Sequence, residues 1–577
     1  MSRLFSSALK WSRKVTDWAR IERTPSDRVG EYELVPPTGS HDRFEEDDFN
    51  QDHDTITRSL PNLPGPKPTA TQMKTLRHVP GRVPWTAYAI ALVELAERAS
   101  YYGVGGLFPN FVQRPLPPGG PGTGAPPPGS QMTPGALGMG LQVSTALSVI
   151  FSLLAYATPL VGGLLADMKW GKFRTIAVGT GIAGIAHVLS VYAALPSLLQ
   201  NGGSFIPFLM GLLLLGGSAG LIKANIAPIM AEQYVPSCDY IDTLPNGTRV
   251  IVDREATIQK IMSAYYGGIN IGAFVAVTST FAEKYVGFWL AFLIPGVIFL
   301  LMPFILRVVH PHLVPCSKPS SSALIDAYNQ SRSLFSSRSR IKDEDLESIE
   351  SDQSDDLSKI IQACKFFSFF IVYNVADGGL NALLTSLAGS MTTNGVPNDF
   401  LGHANPLVIV ISIPILNRYL YPYLSSKRIA FGPVRRVIVG FLLAAAGMVW
   451  SAIIQHAVYK TSPCGYQATT CEDDSGVSPL SAWLVLPAFI LSGLSESFAV
   501  VSAMEIGYMM SPPSLRSIIN SLFLFTQALS AASILMFLPI MKDPYLVWPF
   551  TITTIITLIA AWGLWKTFSH LDEHHVI

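Results

Sequence analysis

Three ionisable residues, Glu94, Glu97 and Arg98, lie within five positions of an otherwise apolar segment that is long enough to cross a bilayer. An ionisable side chain at that depth costs roughly 2.5–3.5 kcal/mol on insertion scales, so three together require a functional reason. Tyr101 and Tyr102 continue the helical spacing, which places these side chains on one stripe. The stripe is expected to face the bundle interior or a water-filled cavity. Two carboxylates beside a guanidinium there can move protons and hold a charged solute.

The composition is typical of a membrane protein. Of the 577 residues, 49% are hydrophobic and 14% are charged, against about 25% charged residues in a soluble domain. The charges concentrate in the ends and loops, which leaves about twelve apolar segments near the roughly 20 residues needed to span a membrane. The formal net charge of zero does not suggest a nucleic-acid partner. The polar N-terminal region does not resemble a cleavable signal peptide.

A long polar segment at about 310–360 divides the apolar segments into two sets of six. This plan predicts an all-α membrane protein of the major facilitator architecture, with twelve transmembrane helices in two six-helix halves that rock around a central solute. The predicted parts are a disordered cytoplasmic tail (1–81), an N-terminal half (82–309), a Ser-rich charged linker (310–360), a C-terminal half (361–567) and a short cytoplasmic tail (568–577). The linker is interpreted as a solvated tether, with phosphorylation as the alternative.

Lys and Arg concentrate in the short loops after the second, eighth and tenth apolar segments, at Lys169, Lys172, Arg174, Lys427, Arg428, Arg435, Arg436 and Arg516. If the segments alternate, these loops share one side with both termini, and the positive-inside rule makes that side the cytoplasm. Asn246 begins a glycosylation sequon on the same side and is therefore expected to be unmodified.

Two cysteines, Cys464 and Cys471, lie in one predicted outer loop, where an oxidising exterior allows either a disulfide or two free thiols. His187 and His456 are isolated histidines that we interpret as packing residues. The sequence has no metal-ligand cluster, ATP motif or nucleotide fingerprint, so we expect no enzyme activity and no cofactor. Energy for transport must then come from an ion gradient, and the buried carboxylates indicate protons as the coupling ion.

Several motifs together resemble the proton-dependent oligopeptide transporter family. Residues 94–103 read E-x-x-E-R-x-x-Y-Y-G, and further matches follow in order at 156–167 (YATPLVGGLLAD), 217–233 (GSAGLIKANIAPIMAEQ), 249–274 and 495–508. The resemblance covers about 83–567, and the loops are most similar to the fungal branch. It implies the same fold and the coupled import of di- and tripeptides with protons.

The chain departs from the family pattern at several positions. Ala99 stands where the family usually has Phe, and Ala224 where it usually has Pro. Where fungal members typically carry a Gln and paired Asn residues, this chain has Asp377 and, four residues later, Asn381. The second half of the pocket is therefore expected to be altered, which bears on the cargo more than on the fold.

The resemblance implies a proton-coupling set of Glu94, Glu97, Arg98 and Lys223. A proton on Glu97 would weaken its hold on Arg98 or Lys223, and the freed cation would take a substrate carboxylate. The alternative is a fixed ion pair in which Glu94 and Arg98, at i and i+4, neutralise each other. Lys223 is expected to pair with Glu97 or Glu94, or else to extend toward the inner face.

The substrate-binding set implied by the resemblance is Arg98, Tyr101, Tyr102, Tyr156, Lys223, Asn270, Asp377 and Glu496. Glu496 would hold the amino terminus of a peptide, while Asp377 either replaces the missing Gln or lies near the cavity wall. The tyrosines and Asn270 could instead be interhelical contacts. Asp167, Lys172 and Arg174 are expected to latch the two halves at the inner face, and Glu505 is either a gate or a packing residue.

These observations predict a proton-coupled symporter that imports di- and tripeptides by alternating access. One alternative keeps the fold and moves another peptide-like or zwitterionic compound, in the outward direction if it is a secreted metabolite. The other alternative is a non-transporting nutrient receptor that signals through its tails and linker. The expected partners are small peptides or peptide-like solutes and the lipid bilayer, with the protein in the plasma membrane and both termini cytoplasmic.

Overall fold

The computed structural model describes residues 65–314 and 347–575, apart from 237, 245–246, 428–430, 472–476 and 510–515. These residues belong to one unit, Asn62–Ile577. The glycosylation sequon at Asn246, residues 1–64 and most of the linker therefore lie outside the described residues.

Eleven helices in the described part of the chain are long and apolar enough to cross a membrane: Gly140–Trp170, Lys172–Ala193, Phe205–Ala231, Ala256–Tyr285, Phe288–His312, Ile361–Gly389, Phe400–Leu424, Pro433–Thr461, Ala482–Gly507, Leu522–Ile540 and Val547–Asp572. One further helix of similar length, Trp85–Gly105, carries the charged stripe. Eleven helices plus this one make twelve, which we number as spans 1 to 12 in chain order with Trp85–Gly105 as span 1.

Several spans are interrupted. Wide π-type turns occur at Ala166–Trp170 in span 2, Val375–Gly379 in span 7 and Leu416–Leu420 in span 8. Such turns are frequent at functional sites, and the one in span 7 contains Asp377. Short helices follow spans 1 and 3, at Phe108–Gln113 and Pro196–Gln200.

Regular structure in the N-terminal region begins before residue 82, where the sequence predicts the end of a disordered tail. Ala70–Thr75 forms a helix that Thr69 begins with a capping box, and His78–Pro80 (β1) pairs in parallel with Arg249–Asp253 (β3). The strand β3 also pairs antiparallel with Tyr240–Thr243 (β2). The prediction of disorder up to residue 81 is therefore wrong for 65–81, because a partner strand far along the chain satisfies this backbone.

Two other predicted boundaries move. The backbone helix that leads into span 7 begins at Glu347, inside the segment interpreted as a tether, and continues to Asn374. The C-terminal end packs on the bundle, because the buried Asp572 accepts hydrogen bonds from the backbone N–H groups of Val434 (2.9 Å) and Arg435 (3.0 Å). This carboxylate satisfies two free N–H groups at the start of span 9.

Each half has a hydrophobic core, and the core of the C-terminal half also includes Leu141 and Val149 of span 2. In the N-terminal half Phe208 contacts Phe108 edge-on and Phe111 at a tilt. Phe366, Phe370 and Phe441 belong to the core of the C-terminal half. We call the bundle end that carries Lys172 and Arg435 the proximal end, and the opposite end the distal end. Among the described residues, the hydrogen bonds between halves all lie at the distal end, for example from Gln142 Nε2 to Leu538 O (2.7 Å).

A second small sheet lies at the distal end. Met391–Thr392 (β4), after span 7, pairs in parallel with Ser478–Ser481 (β5), before span 10. Cys464 and Cys471, in the loop between spans 9 and 10, form a disulfide with a Cα–Cα separation of 5.9 Å. The disulfide and the sheet both restrain this loop of the C-terminal half.

Candidate functional site

The charged stripe of span 1 lies inside the bundle, as its spacing predicts. Glu94, Glu97 and Arg98 are 1%, 3% and 5% exposed. Arg98 Nε lies 3.1 Å from Glu94 Oε1, and Arg98 Nη2 is in direct ionic contact with Glu97 Oε2. The guanidinium is thus held by both carboxylates at once. Loss of either carboxylate charge would leave the other partner in place.

Lys223 of span 4 is held differently from Arg98. The expected ion pair with Glu94 or Glu97 is absent from the salt bridges of the described residues. The Lys223 ammonium instead lies 3.9 Å from the ring centroid of Tyr101 and 4.5 Å from that of Tyr156. Aromatic faces attract an ammonium without using its N–H donors. Lys223 Nζ is accordingly buried without a hydrogen-bond partner among the described residues.

Span 5 approaches span 1 closely at two glycines. A Cβ at Gly272 would lie 2.7 Å from Leu95 O and from Arg98 Cβ, and one at Gly268 would lie 2.8 Å from Ala91 O. Only glycine allows the helices to meet at this distance. The close contact brings Tyr265 of span 5 to the carboxylate of Glu94, with which its side chain interacts.

The C-terminal half contributes two carboxylates, the buried Asp377 and the half-buried Glu496. Ser492 Oγ donates to Asp377 Oδ1 (2.9 Å), and Asn405 Nδ2 donates to Ser492 Oγ (2.8 Å) and to Glu496 Oε1 (3.2 Å). Neither carboxylate forms a salt bridge with any described Lys or Arg. This network is therefore an acidic centre that lacks a protein cation.

Tyrosines lie between the two charged centres. The Tyr102 hydroxyl is within electrostatic range of both Arg98 and Glu496, and 37% of this residue is exposed. Tyr266 of span 5 is also within range of Glu496. Asn270 donates to its own helix at Tyr266 O (2.8 Å). The cationic and acidic centres thus face one interior, with Tyr102 and Tyr266 at its boundary.

The residues expected to latch the halves make local contacts instead. Lys172 forms an ion pair with Glu232 of span 4, which belongs to the same half, so this contact does not join the two halves as predicted. Arg174 is exposed, and the side chain of Asp167 lies outside the described set. Glu505 pairs with Arg436 (3.2 Å) at the proximal end of the C-terminal half.

Three further residues of the site were not predicted from the sequence: Tyr265, Asn405 and Ser492. Ser492 stands one helical turn before Glu496, and Tyr265 lies within the motif at 249–274, so both had a local signal. Asn405 had none, because its partners lie on other spans. Among the described residues, no group of His, Cys, Asp and Glu side chains could hold a metal ion.

Comparisons with known proteins agree with this architecture. A family model described as the POT family matches residues 173–556. The chain is 40% identical to the MFS-type transporter ucsM of Acremonium sp. over 86% of each chain. It is 35% identical to the peptide transporter PTR2 of Candida albicans, over 88% of this chain and 85% of that protein.

The crystal structure of the POT family transporter PepTSo covers 86% of this chain and 99% of its own, with a TM-score of 0.63 and 17% identity. At that identity the likeness concerns the fold alone. Together with the twelve helices, it confirms the predicted all-α membrane fold in two six-helix halves.

Proposed function

Because this chain belongs to the POT family, we propose that it is a proton-coupled symporter that imports di- and tripeptides by alternating access. Its relatives are transporters and not enzymes, and the chain is a multi-pass membrane protein. One observation carries the proposal: Arg98 and Lys223 form a cationic centre in one half, and Asp377 and Glu496 form an acidic centre in the other. A zwitterionic peptide has the complementary pair of charges.

We assign the peptide carboxylate to Lys223 and Arg98. Lys223 Nζ is the more available group, because its N–H donors are not used by described residues. We assign the peptide amino group to Glu496, which Asn405 orients through its 3.2 Å hydrogen bond. Fixing both ends of the solute favours peptides of two or three residues.

We assign the coupling proton to Glu97. In the empty site Arg98 is shared between Glu97 and Glu94. Protonation of Glu97 removes one of these attractions, while Glu94 remains as a counter-ion for the guanidinium. Arg98 can then turn toward a substrate carboxylate without becoming an uncompensated buried charge, which would cost several kcal/mol.

We place the protein in the plasma membrane with both termini in the cytoplasm. The support is the proximal end, which carries Lys172, Arg435 and Arg436 and to which the C-terminal segment is bound through Asp572 and Arg435. By the positive-inside rule this end faces the cytoplasm.

A second candidate keeps the fold and changes the cargo to another peptide-like or zwitterionic compound. Asp377 favours it, because a second carboxylate beside Glu496 departs from the fungal peptide transporter pattern. The 40% identity to a relative named only as an MFS-type transporter also leaves the cargo open. The receptor hypothesis rests on the linker, most of which lies outside the described residues.

Uptake by a host that lacks its own peptide transporters tests the proposal. Cells that express this chain are expected to accumulate a labelled dipeptide and not its N-acetylated form. Lys223→Met tests the cationic centre. Methionine has about the volume of lysine, and Lys223 forms no salt bridge with the described residues, so surface expression should persist while uptake is lost. Uptake of a different zwitterion with no peptide uptake would support the second candidate. Uptake of neither solute would oppose both.

A further inference from the structure

Polar contacts join the two halves at the distal end, and the residues that make them are not part of the proposed transport site. Asn110 and Asn398 exchange hydrogen bonds of 2.9 Å in both directions, and Gln113 Nε2 donates to Ser386 Oγ (2.7 Å). Lys284 Nζ, at the end of span 5, donates to Val396 O of the facing half (3.0 Å). We call these contacts the distal seam. They must break before the interior can open at this end.

Two carboxylates are buried inside the distal seam. Glu283 is 0% exposed, and its Oε1 accepts a 2.6 Å hydrogen bond from Asn110 Nδ2, while its Oε2 has no partner among the described residues. Asp399, on the opposite half, is 7% exposed, and neither of its carboxylate oxygens has a hydrogen bond of normal geometry, although the N–H groups of Asp399 and Phe400 lie close. The two carboxylates interact electrostatically.

The cations near these carboxylates do not compensate both of them. Lys284 acts on Glu283 and Asp399 electrostatically, but its Nζ donates to two neutral oxygens, Thr393 Oγ1 and Val396 O. Arg114 is half-buried in the seam, with its Nε and Nη2 atoms buried, but the carboxylate whose charge acts on it is Asp543. One lysine faces two buried carboxylates, so burial of both as anions leaves one negative charge without compensation.

We propose that Glu283 and Asp399 form a proton-binding site that makes closure of the distal seam depend on pH. In the closed seam the two carboxylates share one proton, which leaves a single negative charge opposite Lys284. When the seam opens, water reaches both carboxylates and the proton is released to the medium on the distal side. This proton is separate from the one assigned to Glu97.

The direction of the pH dependence follows from the affinity of each state for the proton. Burial raises the pKa of Asp399 to about 7 in the closed seam, against about 3.9 for a hydrated aspartate. The closed state therefore binds the proton more tightly and is favoured by acid. This stabilisation is fully present below about pH 4 and is lost as the pH rises through about 7.

Distance measurement in the substrate-free protein tests the proposal. Spin labels on N201C and K460C report seam opening, since Asn201 is exposed in the distal loop after span 3 and Lys460 is exposed in the last turn of span 9, in the opposite half. Cys238, Cys316 and Cys364 are first replaced by Ser. Pulsed electron paramagnetic resonance in nanodiscs is expected to show the ratio of closed to open protein rising as pH falls from 8 to 5, with a slope that approaches tenfold per pH unit below pH 7 for one linked proton.

Two single variants should each abolish this dependence. Either Asp399→Asn or Glu283→Gln leaves one carboxylate opposite Lys284, so no proton is needed and the seam stays closed across the range. Asp399→Asn removes no hydrogen bond of normal geometry and so serves if Glu283→Gln fails to fold.

The control is Tyr285→Phe, which removes the 2.7 Å hydrogen bond from the Tyr285 hydroxyl to Gly395 O across the same seam. It should lower the closed fraction and keep the pH dependence. A wild-type ratio that is constant with pH, or a wild-type slope in Asp399→Asn, overturns the proposal. Because no peptide is present, either result is independent of the proposed cargo.

Discussion

At the scale of single residues, the two cations of the N-terminal half are held in different ways. Arg98 is bound by two carboxylates, whereas Lys223 rests against the rings of Tyr101 and Tyr156. Only the first arrangement responds directly to protonation of a carboxylate. We therefore expect Arg98 to respond to the proton and Lys223 to provide constant attraction for the solute anion.

Glu97→Gln should separate exchange from accumulation. Glutamine keeps the shape and part of the hydrogen bonding of Glu97 but cannot carry the proton. We expect counterflow of peptide across the membrane to persist while uptake driven by a proton gradient is lost. If the variant still concentrates peptide, Glu97 is not the coupling group.

Glu496→Gln should weaken recognition of a free amino group. A charge-assisted hydrogen bond contributes roughly 1.5–3 kcal/mol, so its loss should reduce affinity by about ten- to a hundredfold. The measurement compares inhibition of uptake by a dipeptide and by its N-acetylated form, in wild type and variant. Wild type should prefer the free amine, and the variant should lose most of this preference. Equal inhibition by both compounds in the wild type would contradict a peptide cargo.

Sequence alone identified the residues of one stripe but not their partners. Spacing on a single helix placed Glu94, Glu97 and Arg98 together, because helical geometry is local. Asn405 could not be found in this way, since its hydrogen bonds to Ser492 and Glu496 depend on how spans 8 and 10 pack. The ring contacts of Lys223 likewise depend on the approach of span 4 to span 1.

At the scale of elements, the position of the stripe depends on how closely spans 1 and 5 pack. The glycines of span 5 face the backbone of span 1 at Leu95 and Ala91, and this approach brings Tyr265 to Glu94. The helices and their polarity follow from the sequence. The β1–β3 pairing did not, because it joins His78 to Ile251, and neither segment alone indicates its partner.

Gly272→Ala should destabilise the protein, and Gly267→Ala should not. An added Cβ at Gly272 lies 2.7 Å from Leu95 O, whereas one at Gly267 meets nothing within 4 Å. Overpacking typically costs about 1–3 kcal/mol, while alanine in place of an unhindered helical glycine gains up to about 1 kcal/mol. The melting temperatures of both variants are measured in detergent, with size-exclusion chromatography used to monitor thermal unfolding. A melting temperature for Gly272→Ala equal to that of Gly267→Ala would oppose close packing of spans 1 and 5.

At the scale of the whole molecule, the two halves are joined by apolar contacts of Leu141 and Val149 with the C-terminal core and by hydrogen bonds at the distal end. The charge pattern of the sequence predicted twelve spans in two halves, because membrane burial restricts where charges can lie. It could not predict which end is closed, since the seam depends on residues far apart in the chain, such as Asn110 and Asn398.

Each half has a core that holds its own spans together, which allows it to move as a unit around the cationic and acidic centres. Opening at the distal end must break the seam, and closing at the proximal end must bring the halves together there. This is the motion that alternating access requires. A proton and a zwitterionic peptide would then bind between the halves and cross together.

Proton-coupled peptide import can be measured as accumulation of a labelled dipeptide by proteoliposomes. The purified protein is reconstituted, and the external medium is made more acidic than the lumen without any ATP. We expect accumulation above the external concentration, which a protonophore abolishes and Glu97→Gln prevents. Equal uptake with and without the pH gradient, at a level that never exceeds the external concentration, would contradict proton-coupled import.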